Sequence, residues 1–386
     1  MPSLVAPVRL RATLGPHSAR KVTWLELFFD LIFVAAVAQV AEPLHHHYTA
    51  GELLRLAPLL TLIWWAWTGH SFFATRFDTD DPIQRVLTLV QMFVVAVMAA
   101  NAKDALDSRS SAGFAAAYAA VRLLLVAQYA RVRQVPAARG LATRYVAGHG
   151  GAAAIWLLSS MVPVPTRFWL WGLAFVIDLG TPWLAVRHSV DVPHNEHHLP
   201  ERFGLFTIIL FGEAIVAVMI GMESQETWPI EAALSAFLSM ALLFMLWWWY
   251  FDGAAGASEQ PVRTKRDAVR LNVWTYVHFP LYLAIVVIGV GLNKLVMSAA
   301  HQALERQEVA LLAYALGLAM LTLTVIGAVS ASRTERTQGW AHAGLAAATI
   351  AAGAMTAPAV LIVLMSALCL AQLLLSLRRQ APASPL

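Results

Sequence analysis

The chain has 386 residues, of which 59% are hydrophobic and only 13% are charged, and its formal net charge is +4. Because about a quarter of the residues in an ordinary soluble domain are charged, this composition excludes a soluble globular protein and indicates a polytopic membrane protein. The basic residues lie between apolar segments, which argues against a nucleic-acid-binding surface, and the one cysteine, Cys369, excludes a disulfide framework within the chain.

Twelve segments are apolar over roughly the 20 residues that a membrane-crossing helix needs. In chain order they are 22–41, 53–74, 84–101, 111–130, 141–162, 167–187, 203–221, 230–251, 271–293, 307–329, 339–354 and 358–377. The eleventh is short and rich in Ala and Gly. The sequence therefore predicts an all-α polytopic membrane protein with about 12 transmembrane helices.

The positions of Lys and Arg predict the topology independently. With a cytoplasmic N-terminus, 20 of the 27 Lys and Arg residues fall on the cytoplasmic side, 6 on the other side, and Arg122 within the fourth segment. Cytoplasmic loops of membrane proteins carry an excess of Lys and Arg. Both termini are therefore predicted to be cytoplasmic.

The chain also resembles itself at an offset of 183 residues. The stretch FFDLI at 28–32 falls on FGEAI at 211–215, and WWAW at 64–67 falls on WWWY at 247–250. These matches predict two six-helix halves which, since six is even, enter the membrane from the same side as parallel repeats. The alternative is that Trp clusters mark membrane interfaces in any case. The predicted organisation is an N-terminal tail (1–21), a first half (22–190), a second half (191–377) and a C-terminal tail (378–386).

Acidic residues inside the apolar segments are the first candidate functional residues. Asp30 and Glu213 lie roughly 12 and 15 Å into their helices, at a depth where a charge costs at least about 2.5 kcal/mol. Such acids suit a proton carrier or a cation-binding carboxylate, although a neutral acid can also join helices by hydrogen bonds. Glu26 lies nearer the cytoplasmic edge, where it can be solvated or can meet a basic residue (Arg20, Lys21 or Arg202).

Arg122 also lies far from either end of its predicted helix and needs an acidic partner, which Asp30, Asp178 or Glu213 could supply. In the ninth segment, Thr275, His278 and Tyr282 share one helical face close to Pro280. Proline leaves one backbone carbonyl without its helical partner. Pro280 has this effect in the ninth segment, and Pro182 has it on the carbonyl of Asp178. Free carbonyls beside an ionisable group can form a cation site, and a kink can equally serve packing.

Two loops carry clusters of polar residues. The predicted cytoplasmic loop RHSVDVPHNEHHLPER contains His194, His197 and His198, which are weak candidates for a metal site because their spacing matches no closed-site pattern. The loop TRFDTDDPIQR could guard a cytoplasmic entrance through Asp78, Asp80 and Asp81, or could cap the third helix.

Six blocks occur in this order along residues 22–293: VTWLELFFDLIFVAAVAQ, WWAWTG, TRFDTDD, ERFGLFTIILFGEAIV, WWWYFD and YVHFPLYLAIVVIGVGL. In this order they resemble the bacterial low temperature requirement protein A (LtrA) family. This resemblance implies a multi-pass protein of the bacterial cytoplasmic (inner) membrane that is associated with growth at low temperature, without an assigned activity. The motif positions are Glu26, Asp30, Arg76, Asp78, Glu201, Arg202, Glu213, Asp252 and His278.

The leading functional hypothesis is a secondary transporter or ion-conducting protein in which Asp30 and Glu213 are paired midplane carboxylates, tuned by Arg122 or His278. The alternatives are a non-catalytic membrane adaptor or stress component, and a membrane-embedded enzyme acting on a lipid. No phosphate-binding loop or hydrolase motif occurs in the sequence. We therefore expect no cofactor and no nucleic-acid partner; the expected partners are membrane lipids, a proton or small cation and an unknown small molecule.

Overall fold

The computed structural model describes residues 9–10, 23–78, 81–224, 229–251, 262–298 and 304–330, together with Val363, Ala367 and Leu370. This part of the chain is helical, apart from a two-residue antiparallel pairing of β1 (Arg9–Leu10) with β2 (Phe77–Asp78). Its helices are α1 (Trp24–His46), α2 (Ala50–Ala74), α3 (Pro82–Ala100), α4 (Ser111–Val132), α5 (Arg139–Met161), α6 (Thr166–Leu184), the short α7 (Val186–Ser189), α8 (His198–Glu223), α9 (Ile230–Trp248), α10 (Lys265–Ser298) and α11 (Arg306–Ser330).

Seven of the described helices are long and apolar enough to cross a membrane: α1, α3, α4, α8, α9 with its continuation to Phe251, α10 and α11. Each of the first ten predicted spans coincides with one long helix, so α2, α5 and α6 are additional long helices outside this set of seven. The predicted spans 339–354 and 358–377 lie outside the described residues, apart from three single positions.

Several helices begin where a side chain caps free backbone N–H groups. At the start of α1, the backbone N–H of Thr23 donates to Glu26 Oε2 (2.8 Å), and the N–H of Glu26 donates to Thr23 Oγ1 (3.2 Å). The same reciprocal pattern joins Thr264 and Asp267 at the start of α10. Asp81 caps α3 by accepting from the backbone N–H of Gln84 (2.8 Å). This is the capping role that was one of the two alternatives for the acidic loop.

Three helices differ in extent from the sequence prediction. α1 continues to His46, beyond the predicted span that ends at residue 41. α8 begins at His198, five residues before the predicted span, and therefore contains Arg202. α10 is a single helix of 34 residues that runs through Pro280. Hydropathy underestimates these helices because it stops at charged and polar residues, whereas such residues remain helical when they are capped or paired.

The described residues belong to two compact units. The first unit comprises 1–43, 55–206 and 259–273, and the second comprises 44–54, 207–258 and 274–386. The core of the first unit is aromatic and includes Trp64, Trp65, Trp67, Tyr118 and Trp156.

In the second unit, α8 and α10 approach closely at small residues. A Cβ atom at Gly289 would lie 2.9 Å from both the Cα and the Cβ of Ala214, and one at Gly221 would lie 2.9 Å from the carbonyl oxygen of Asn293. Asn293 in turn donates from Nδ2 to the carbonyl of Ala217 (2.7 Å). Small residues that admit a neighbouring backbone, joined by a polar side chain, are typical of helix pairs in membranes.

Many large apolar side chains are exposed, and they recur along single helices. Residues more than half exposed include Val86, Leu89 and Phe93 on α3, Trp169, Leu173 and Val176 on α6, and Leu234, Phe237 and Phe244 on α9. Apolar stripes of this length are not stable against water in a soluble monomer. They fit a protein that lies in a membrane.

Candidate functional site

Asp30, in the second turn of α1, forms a buried ion pair with Arg202 of α8. Asp30 Oδ1 accepts hydrogen bonds from Arg202 Nη2 (2.5 Å) and from the indole Nε1 of Trp67 (2.7 Å), which lies on α2. Both charged side chains have zero exposure to solvent. The second carboxylate oxygen, Oδ2, is buried and has no hydrogen-bond partner among the described residues.

Glu26 lies one helical turn before Asp30 and faces the same stretch of α8. Its Oε2 atom lies 3.3 Å from His198 Nε2, and its Oε1 atom lies 3.9 Å from Arg202 Nη1. Glu26 thus combines its capping role with contacts to two basic residues. Of the three basic partners considered for Glu26 from the sequence, Arg202 lies 3.9 Å away, while Arg20 and Lys21 lie outside the described residues.

These pairs define the relative direction of the two helices within the first unit. Glu26 and His198 meet at one level, and Asp30 and Arg202, each four residues further along, meet at the next. Since the residue numbers on both helices rise in the same direction, α1 and the start of α8 run parallel. We refer to Glu26, Asp30, His198 and Arg202 as the α1–α8 ladder.

Aromatic residues enclose the ladder. The ring of Trp67 stacks on Phe206 (centroids 4.4 Å apart), meets Phe203 edge-on (4.9 Å), and has the Arg202 guanidinium 5.9 Å from its centroid. Phe203 and Phe206 lie on the same helix as Arg202. This apolar enclosure keeps water away from the ion pair, which strengthens the electrostatic interaction and also raises the cost of an unmatched charge.

A second buried ionic cluster joins α4, α5 and α6 in the same unit. Asp178 Oδ2 lies 2.7 Å from Arg122 Nε and accepts from the hydroxyl of Tyr118 (3.1 Å), while Asp178 Oδ1 lies 2.5 Å from His149 Nδ1. Arg122 Nη2 also donates to the Tyr118 hydroxyl (2.6 Å). Of the three acids considered as partners for Arg122, Asp178 is therefore the one that the fold places beside it.

Glu213 lies on α8 in the second unit and differs from Asp30 in its surroundings. It is partly exposed and has no hydrogen-bond or ion-pair partner in the part of the chain that the structure describes. Asp30 and Glu213 thus belong to different compact units, and their pairing stays a prediction.

His278, another predicted site residue, is held at both ring nitrogens. Its Nδ1 atom lies 2.8 Å from the carbonyl oxygen of Trp274, which can only accept, so Nδ1 carries the proton. Nε2 lies 3.1 Å from the hydroxyl of Tyr250, which therefore donates to it. These two contacts order the continuation of α9 against α10; Tyr282 and Thr275, from the same predicted face, are also buried.

The three histidines of the predicted metal site have separate surroundings. His194 is buried, with Nδ1 2.7 Å from Thr75 Oγ1, while His198 faces Glu26 and His197 is exposed. Burial, and to a lesser extent the nearby Arg76 guanidinium, hold the pKa of His194 well below its usual range. No group of three or more His, Cys, Asp or Glu residues within the described ranges could hold a metal ion.

The basic loop residues of the sequence prediction include two that are buried. Arg202 was expected in a cytoplasmic loop, and Arg76 was expected on the cytoplasmic surface. Arg76 instead donates to the carbonyl of Val192 (3.1 Å), the Ser189 hydroxyl (3.3 Å) and the Tyr145 hydroxyl (3.4 Å). It thereby fixes the loop before α8 to the end of α2.

Sequence reasoning missed Trp67, Tyr118 and His149, and it did not pair His198 with Glu26 or Arg202 with Asp30. A weak signal existed for these two pairings, because His198 and Arg202 share the four-residue spacing of Glu26 and Asp30. No comparable signal singled out His149, since His149 and Asp178 are 29 residues apart and meet only through helix packing.

Several of the long helices are apolar enough to cross a membrane, and acids and arginines form buried pairs between helices. These features define a helical integral membrane protein. A family model described as "Bacterial low temperature requirement A protein (LtrA)" matches residues 21–374, so the chain belongs to the LtrA family. This confirms the resemblance carried by the sequence motifs and extends it beyond residue 293.

The chain is also similar to the uncharacterized protein RA0937 of Rhizobium meliloti (strain 1021). The two are 29% identical over 288 residues, which covers 70% of this chain and 68% of the relative. The name of this relative states no activity.

Proposed function

We propose that this LtrA-family protein is a secondary transporter or ion-conducting protein of the bacterial cytoplasmic membrane, with Asp30 as its proton- or cation-binding carboxylate. The observation that carries the proposal is the buried Asp30–Arg202 pair, in which Asp30 Oδ2 has no partner among the described residues. Intramembrane acids are costly and are found mainly on proton and ion pathways.

The pair has the properties of an exchange site. When Asp30 is ionised, Arg202 neutralises it, and Oδ2 remains available to accept a proton or to bind a small cation. Binding of either would weaken the attraction to Arg202, whose other acidic neighbour is Glu26 at 3.9 Å. A shift of the guanidinium from Asp30 toward Glu26 would then move α8 along α1, which couples ion binding to helix movement.

The direction of the helices supports a transporter architecture. Parallel α1 and α8 fit the prediction that six spans precede α8, and hence the predicted twelve spans with two parallel halves and cytoplasmic termini. In this architecture Glu213 is the counterpart of Asp30 in the second half. Lipid acyl chains would cover the exposed apolar side chains of α3, α6 and α9.

Flux measurement in proteoliposomes tests the proposal. The purified protein is reconstituted with an internal pH-sensitive dye, and proton entry is recorded under imposed pH gradients and potassium diffusion potentials; sodium and potassium fluxes are recorded in parallel. We expect flux above that of protein-free liposomes, and its loss in Asp30→Asn and Glu213→Gln. The matched controls are Asp191→Asn and Glu231→Gln, which change exposed acids to the same amides and should leave the flux unchanged.

The absence of flux from the folded wild-type protein under every gradient would refute the proposal. Wild-type flux in both amide variants would refute the assigned role of the two acids.

A non-catalytic structural role is the second candidate, and one observation favours it. Glu26 closes the first turn of α1 while Arg202 ties α1 to α8, so the ladder could serve only to hold the helices together. In that case the neutral double variant Asp30→Asn/Arg202→Gln should fold and should support growth in the cold, whereas a transporter would lose its function.

A further inference from the structure

His149 has one ring nitrogen that is buried without a hydrogen-bond partner among the described residues. Its side chain is 1% exposed, Nδ1 faces Asp178, and Nε2 has no hydrogen-bond partner among the described residues. His278, by contrast, is bonded at both nitrogens. An orphaned nitrogen in a closed interior is uncommon in folded proteins, where buried polar atoms are nearly always satisfied.

The surrounding bonds fix which nitrogen carries the proton. Asp178 lies against Arg122 Nε (2.7 Å) and is therefore a carboxylate, which can only accept hydrogen bonds. His149 Nδ1 must then donate to Asp178 Oδ1. The lone pair of the neutral imidazole is consequently on Nε2, the atom without a partner, and the Asp–His pair orients the ring so that Nε2 is the acceptor.

We propose that His149 is a proton-binding site of its own, in which Asp178 is the shared counter-ion of His149 and Arg122. A proton delivered by a hydronium ion would bond to Nε2 and leave a water molecule behind, and no other bond would break. The resulting imidazolium and the Arg122 guanidinium would then compete for one carboxylate. Protonation would therefore loosen the Arg122–Asp178 contact that joins α4 to α6.

The groups that face His149 make this competition specific. From α4, Arg122 and the hydroxyl of Tyr118 both bind Asp178, and the Tyr129 ring lies 6.4 Å from the imidazole. From α5, the Tyr145 ring lies edge-on at 5.3 Å. Arg76, which follows α2, reaches the Tyr145 hydroxyl and adds a further positive charge on that side. Asp178 is thus the one carboxylate in contact with His149 among the described residues.

Solid-state NMR of the full-length protein in lipid, with ¹⁵N-labelled histidine, tests the site directly. The His149 signals are assigned by their loss in His149→Gln, and spectra are recorded from about pH 8 to about pH 4. We expect a neutral ring protonated at Nδ1 at high pH and an imidazolium at low pH. His278, assigned by its loss in His278→Gln, is the internal control and should stay neutral throughout.

Two variants separate proton binding from a merely structural role. Arg122→Gln removes the competing cation, so the His149 titration should move upward by at least about one pH unit. Asp178→Asn removes the counter-ion, so the imidazolium should be lost from the whole range. A His149 signal that stays neutral in the wild type and in Arg122→Gln would overturn the inference.

This readout does not depend on transport. Titration of His149 in a protein without ion flux would leave the inference standing and refute the proposed function alone. Ion flux together with a His149 that stays neutral in the wild type and in Arg122→Gln would support the proposed function and refute this inference.

Discussion

At the scale of single residues, four buried charges of the first unit form two matched pairs. Asp30 is joined to Arg202 and Asp178 to Arg122, and all four side chains are inaccessible to solvent. Breaking such a pair leaves an uncompensated buried charge, which is far more costly than replacing both partners by neutral groups. The two arginines are therefore expected to be more sensitive to single substitution than any surface residue.

This expectation gives a prediction for Arg202. Arg202→Gln should reduce the free energy of unfolding by about 3 to 5 kcal/mol, and the double variant Asp30→Asn/Arg202→Gln should recover most of the loss. Reversible unfolding in mixed micelles of increasing denaturing detergent measures both values. Arg187→Gln, at an exposed arginine, is the control and should change little. A double variant no more stable than the single one would contradict the pairing.

Sequence reasoning identified the acids of both pairs and Arg122, but it could not choose their partners. A charged residue within an apolar run is visible from composition alone because its insertion is costly. The partner is set by which helices pack together, and Asp30 and Arg202 are 172 residues apart. Arg202 was also assigned to a loop, since a hydropathy window ends at a charge whether or not that charge is neutralised in the fold.

At the scale of helices, local sequence defines where several elements begin, and small residues define how closely they pack. The capping pairs Thr23–Glu26 and Thr264–Asp267 are three residues apart and could be read from the sequence. The contact of Gly289 with Ala214 could not be read from the sequence, because it joins α10 to α8 across 75 residues. In a membrane, where helix association depends on close packing, this contact is expected to be sensitive to size.

A glycine pair tests the packing of α8 against α10. Gly289→Ala should destabilise the protein by roughly 1 to 3 kcal/mol, because the new Cβ would meet the Ala214 backbone at 2.9 Å. Gly172→Ala, in α6, has no atom within 4 Å of the new Cβ and should change stability by no more than about 1 kcal/mol. Thermal unfolding in mild detergent compares the two. Equal effects would show that α8 and α10 are not in tight contact at Gly289.

At the scale of the whole molecule, the topology is the property that most constrains the function. The Lys and Arg distribution predicts cytoplasmic termini, and in the α1–α8 ladder α1 runs parallel to the start of α8, which agrees with an even number of spans before α8. Two halves with the same orientation require an even number of spans in each half, whereas an odd number in each half would give inverted halves.

Labelling at the two ends of α4 tests the topology. In a Cys369→Ser background, single cysteines are placed at the exposed residues Ser108 and Gln134, which precede and follow α4 and carry no charge. A membrane-impermeant maleimide should label Ser108→Cys in intact cells, and Gln134→Cys only after the membrane is opened. The reverse pattern would invert the predicted orientation, and labelling of both in intact cells would remove α4 as a span.

The sequence by itself determined the class of this protein: a helical membrane protein of the LtrA family, with acids inside its apolar helices. These properties follow from local composition, because the bilayer penalises charge and unpaired backbone within each segment separately. The tertiary structure decided which charges are neutralised, placing Arg202 beside Asp30 and Arg122 with His149 beside Asp178. Those contacts depend on the packing of helices that are distant in sequence, and the energy of a buried charge depends on its partner. No single segment of the sequence therefore specifies which charges are paired.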